Sequence, residues 1–180
     1  VNRLLLVAVV AVVVASACSD DRVPTAESAT AISSVAAPAS TVKLTGVEHV
    51  DGEVDYPTSP GYGGDHNPAW MNCGVYRQEV VEEMAVHSLE HGAVWLTFHP
   101  DKVDAAGIDV LAAFAENATH VLVSPYSAQE SPVVATAWGA QSTFDTVDDP
   151  GIAEFVSYFQ QGPQTPEPGA PCSGAVGEPE

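Results

Sequence analysis

Between Gln78 and Gln160, segments with helical spacing take turns with segments of strand composition, and that alternation restricts the chain to folds that mix helices with a small sheet. Gln78 to His91 reads as a helix, with Val80, Val81, Met84, Leu89 and His91 the candidates for its inner face, and Glu82 and Glu83 near the end where the dipole favours them. Gly92 supplies the stop. Ala93 to Phe98 then has strand composition, and His99-Pro100-Asp101 turns the chain. Ile108 to Asn117 follows as an amphipathic helix, His120 to Ser124 as a strand, and Val133 to Trp138 as a strand continuing or pairing toward Gln141 to Phe144. Asp148-Asp149-Pro150 opens a last helix to about Gln160, with proline near the first turn. Upstream, Val47 to Val54 is a candidate strand, followed by an irregular loop from Tyr56 to Gly74. The expected fold is α+β, a small mixed β-sheet with two to three packed helices and a long irregular N-terminal loop.

The start of the chain carries a different message. Arg3, the apolar run from Leu4 to Ala15, and Ala15-Ser16-Ala17 before Cys18 are the parts of a secretory leader, too short to span a bilayer. Small residues directly before a cysteine resemble the bacterial lipobox, which implies a lipoprotein-type signal peptide over residues 1–18 and a lipid on Cys18. Residues 19–40, rich in Ala, Ser, Thr and Pro, cannot bury enough surface to fold alone and read as a disordered tether. Residues 41–172 make a single domain, and residues 173–180 a disordered tail. The expected location is the cell membrane, lipid-anchored, facing the extracytoplasmic side.

Charge narrows the partners. The chain has five Lys and Arg against 24 Asp and Glu, a formal net charge of −19. Such a surface repels nucleic acid and anionic membrane, so the membrane is reached only through the lipid at Cys18. Besides Cys18, two cysteines remain. In an oxidising compartment Cys73 and Cys172 most simply form a disulfide, whose loop of about a hundred residues would constrain the unfolded chain by about 4 to 5 kcal/mol. The competing reading makes Cys73 a metal ligand, because His66 and Met71 lie close to it in sequence.

The densest chemistry is His87-Ser88-Leu89-Glu90-His91. Helical positions three, four and seven apart share a face, so Met84, His87 and His91 can converge on one point, and His66 on the preceding loop is the third imidazole candidate. Two histidines in a last helical turn also gain from the dipole with no metal at all, by about 0.3 to 1 kcal/mol each. Copper competes with zinc for the site, and Met71 and Met84, the only two methionines, together with the extracytoplasmic address, tip the balance slightly to copper. His49, His99 and His120 have no partner at a useful spacing and default to surface or strand-end roles.

The stretches Trp70-x-x-Cys73-Gly74-Val75-Tyr76, Ala85 to Trp95, Ser124-Pro125-Tyr126, and Gly162 to Glu167 through Cys172 resemble an uncharacterised bacterial family, the DUF3105-like lipoprotein domain. The likeness spans about Thr45 to Cys172. It implies that His66, Cys73, His87, Glu90, His91 and Cys172 match the family's pattern, whereas Met84 departs from it. It implies nothing specific about activity.

Three function classes follow. The first is a membrane-tethered, extracytoplasmic protein that binds copper or zinc through His66, His87 and His91, with Met84 or Cys73 as fourth ligand. Its role would be sequestration, or delivery involving a metal donor or acceptor protein. The second is a metal-free binding module of the cell surface, with Tyr62, Trp70, Tyr76 and Trp95 lining a cleft. The third is a zinc hydrolase, since His-x-x-Glu-His resembles the inverted zincin motif with Glu90 as base and Glu116 or Glu154 as a distant ligand. Glu90 reads better as a residue that hydrogen-bonds a ligand histidine.

Overall fold

Val94–Phe98 is buried at every position, as a strand can be only when both faces of its sheet are covered. The computed structural model describes Leu44, residues 46–116 and residues 118–180. The leader expected at 1–18, the lipidation of Cys18 and the tether at 19–40 lie outside the described residues. In chain order the elements are β1 (Gly74–Val75), α1 (Glu82–Glu90), β2 (Val94–Phe98), α2 (Ala105–Glu116), β3 (Val121–Pro125), β4 (Val133–Ala137), β5 (Ala140–Phe144) and α3 (Pro150–Phe159). The sheet order is β1-β3-β2-β4-β5. β3 is parallel to both β1 and β2, whereas β4 runs antiparallel to β2 and to β5. The domain is therefore α+β with a mixed five-stranded sheet and three helices.

Side-chain alternation along the strands divides the core in two. Val94, Leu96 and Phe98 of β2 and Val121 and Val123 of β3 face Leu111 of α2 and Ile152, Phe155 and Phe159 of α3. Trp95 and Leu122 face the other way, toward Ala85, Val86 and Leu89 of α1. On that side Trp95 Nε1 donates to Ser124 Oγ at 2.9 Å, so the largest buried side chain leaves no polar atom unpaired.

The ends of α1 explain where it starts and stops. Val81 stands at the N-cap with no side-chain bond, and is 48% exposed rather than inward-facing. Gly92, at φ 92°, closes the helix: its N–H bonds Leu89 O and that of Ala93 bonds Ser88 O, the paired bonds of a Schellman turn.

Two expectations from composition fail. Val47 to Val54 is not a strand, and its pairing is a single bridge between His49 and His66. Residues 173–180 are not a loose tail, because Asn72 N–H bonds Val176 O, Val176 N–H bonds Trp70 O, and Glu180 N–H bonds Val75 O. These backbone bonds, the Asn72 side chain bonded to Gly177 O and Ala175 N–H, and the Arg77–Glu180 ion pair hold this stretch down, and composition does not encode them. Cys73 and Cys172 are joined by a disulfide with Cα atoms 5.3 Å apart, which removes Cys73 from the ligand candidates because a bridged sulfur offers no thiolate. Among the described residues, no helix is long and apolar enough to cross a membrane.

Candidate metal centre

Helix α1 is buried all round from Ala85 onward, since the sheet covers one side and the irregular loop from Tyr56 to Cys73 the other. Polar side chains on the helix fasten that loop. Glu82 accepts from Gly61 N–H at 2.7 Å and from the Tyr126 hydroxyl at 2.8 Å, while Glu83 accepts from Val54 N–H at 3.0 Å. Burial raises the Glu82 carboxyl above the ordinary carboxylate range, the Gly61 and Tyr126 bonds oppose that rise, and Glu83 adds to it. Ser88 Oγ accepts from Met71 N–H at 3.1 Å and donates to Met71 O at 2.7 Å. The loop is thereby drawn across the helix face that carries His87 and Glu90.

What gathers there is His49, His66, His87 and Glu90, with one donor atom from each residue lying within 4.8 Å of all the others. Glu90 Oε2 is the hub, 3.0 Å from His66 Nε2, 3.8 Å from His49 Nε2 and 4.0 Å from His87 Nε2. The three rings pack with centroids 4.8 to 4.9 Å apart.

Proton positions follow from the backbone. His66 Nδ1 lies 2.8 Å from Gly64 O and His87 Nδ1 2.7 Å from Asn67 O. A carbonyl can only accept, so each Nδ1 is the donor and each ring turns its Nε2 toward Glu90. Burial pushes the His87 imidazole down to about 4; the neighbouring rings of His91, His66 and His49 push the same way, against the Asn67 bond. At neutral pH it is an uncharged donor. His66 Nε2 is fully buried and, although 3.0 Å from the carboxylate, forms no hydrogen bond with it. A protonated Nε2 would aim its N–H at that oxygen, whereas a lone pair beside a carboxylate calls for a cation between them. This buried His/Glu group could hold a metal ion. A tetrahedral ion with bonds of about 2.0 to 2.1 Å needs donors roughly 3.3 Å apart, so the widest pair must close by more than an ångström.

The residues singled out from sequence divide accordingly. His66 and His87 meet. His91 is buried next to His87, ring centroids 4.6 Å apart, but it is not one of the four: its Nδ1 donates to Pro171 O at 2.7 Å and its Nε2 faces Glu167 at 3.5 Å. Met84 and Met71 both pack in the apolar cluster of Ala85, Val86, Leu89 and Trp95, the gap-filling role open to any methionine. Glu90, assigned a supporting hydrogen bond, has its carboxylate oxygen among the ring nitrogens, where it can itself bind a cation. Glu116 and Glu154 are exposed on α2 and α3, which pack on the opposite sheet face from α1, so neither completes a zincin set. The aromatics expected to line a common cleft are dispersed: Trp70 packs on His87 and His91, Trp95 is core, and the Tyr76 hydroxyl donates to Asn72 O.

His49 is the residue that sequence reasoning missed. It stands seventeen positions before His66 on irregular chain, where no periodicity links the two, and only the bridge between them reveals the contact. Glu90 did carry a signal, since it lies three residues after His87 on the same helix face.

No curated protein and no solved structure matches the chain. A family model does match, over residues 49–174, a span that holds the disulfide and all four residues of the centre. The chain belongs to the family described as protein of unknown function, DUF3105.

Proposed function

We propose that this protein binds one transition-metal ion through His49, His66, His87 and Glu90. The observation that carries the reading is the fully buried His66 Nε2, without a hydrogen bond yet 3.0 Å from the Glu90 carboxylate. Its Nδ1 is bonded to a backbone carbonyl, the arrangement in which histidine ligands of metals are held with Nε2 turned to the ion. Three imidazoles and a carboxylate without sulfur suit zinc, with Cu(II) the next candidate. The preference for copper rested on the extracytoplasmic address and on methionines that fill core space, whereas the donor chemistry supports zinc. A lipid on Cys18 would hold the domain at the outer membrane surface, and the role would be sequestration of the ion or its exchange with a donor or acceptor protein.

The test is uptake of metal by the chelator-stripped protein, with zinc, Cu(II) and Cu(I) titrated separately. One zinc per chain bound well below millimolar, and lost on replacing His66 or His87 by asparagine, is the expected result. A protein that takes up none of the three leaves His66 and Glu90 as a buried proton-sharing pair and ends the metal reading.

A further inference from the structure

The four donors are not equivalent. The side chains of His66, His87 and Glu90 are 0%, 4% and 10% exposed, whereas that of His49 is 50% exposed. The two buried rings are each fixed by a hydrogen bond from Nδ1 to a backbone carbonyl, and among the described residues no such bond holds His49. Its segment is lightly tied as well. Gly46 and Gly52 flank it at φ 89° and 101°, and the chain between them is held by the bridge to His66 and a bond from Glu48 N–H to Asp65 Oδ1. The same segment borders open space: a cleft of about 360 Å³ reaches Glu90 between Val47 and Leu44 on one side and Trp138, Gly139 and Gln164 on the other.

We propose that His49 is the exchangeable ligand of the centre, and that its departure opens one coordination position to an external nitrogen or oxygen donor arriving from the solvent side. The inference rests on the metal reading above and adds direction to it. The metal enters and leaves at His49, while His66, His87 and Glu90 form the fixed floor. Exchange is redox-neutral: the His49 Nε2 bond breaks, the freed imidazole turns to water, and an incoming lone pair forms one bond to the metal at the vacated position. The external ligand that fits is an imidazole or carboxylate side chain of an acceptor protein, for which free imidazole is the probe.

The decisive variant is His49→Ala, whose exposed position leaves the fold undisturbed, as circular dichroism checks. Zinc-loaded protein is challenged with excess chelator, and Co(II)-loaded protein is titrated with imidazole while its visible spectrum is followed. His49→Ala is expected to keep one metal per chain, to release zinc at least about tenfold faster than the parent, and to show a saturable imidazole-dependent spectral change. His66→Asn is the contrasting arm and is expected to hold no metal at the same concentration. Release and imidazole response identical to the parent would overturn the proposal, because His49 would then not be a ligand. Loss of metal by His49→Ala as complete as by His66→Asn would overturn it too, since His49 would be part of the fixed set. If the parent itself takes up neither zinc nor Co(II), the metal reading fails and this inference with it.

Discussion

A single helical offset separates Glu90 from His91, yet their surroundings differ completely. Position i+3 from His87 turns to one side of that ring and position i+4 to the other. The side on which the loop carrying His66 comes down decides which of the two joins the centre, and a sequence does not record that choice. His66 and His87 were legible as chemistry because His87 shares a helix face with His91 and His66 stands on the loop just before that helix. His49 was not, because its link to His66 is a backbone bridge. The consequence is a contrast between two histidines. His87→Asn is expected to lower metal affinity by more than the roughly 10- to 100-fold that loss of a supporting hydrogen bond costs, while His91→Ala leaves affinity within that range. His91→Ala should instead destabilise the fold by about 0.5 to 1.5 kcal/mol in urea denaturation, because the Pro171 carbonyl loses its donor. Protonation offers a second handle. With its folded-state pKa down to about 4 against an ordinary 6.5, His87 refuses a proton that the unfolded chain accepts, so its contribution is complete above about pH 6.5 and lost as pH falls toward 4. Denaturation midpoints of metal-free protein at pH 7.5 and pH 4.5 should therefore differ more for the parent than for His87→Asn.

At the scale of elements, long periodic segments announced themselves and short ones did not. All three helices and strands β2 to β5 follow from spacing and composition, but β1 is two residues long and has no pattern to read. Its place beside β3 comes from pairing, Gly74 with Leu122 and Val75 with Val123. Val47 to Val54 shows the reverse error, since strand-like composition does not create a neighbour to pair with. Helix α1 begins without a side-chain cap, and Val81→Ser is expected to add about 0.5 to 1 kcal/mol, read as a rise in thermal midpoint. The polar contact between β2 and β3 works the other way. Trp95→Phe leaves the buried Ser124 hydroxyl without its indole donor and should cost about 1 to 3 kcal/mol in the same assay.

Over the whole molecule, one covalent link ties the start of the sheet to the far end of the chain. The disulfide spans a sequence separation of 99, and removing it with Cys73→Ala and Cys172→Ala is expected to cost about 4 to 5 kcal/mol, measured by urea denaturation under oxidising conditions. Metal stoichiometry should survive in the folded fraction, because neither sulfur belongs to the donor group. Composition could suggest the bridge but not that residues 173–180 would continue past it to lie along Trp70 to Val75, since main-chain bonds and the Asn72 side chain hold them there and neither has a periodicity to read. The same holds, with wider reach, for the carbonyls of Gly64 and Asn67 that orient the two fixed imidazoles. No side-chain substitution can delete a main-chain oxygen, so the aim of those rings follows the path of the loop, which a side chain at Gly64, φ 117°, would strain. A designer who moved the four donors to another scaffold without the stretch from Gly64 to Asn67 would transplant the ligands and leave behind what points them.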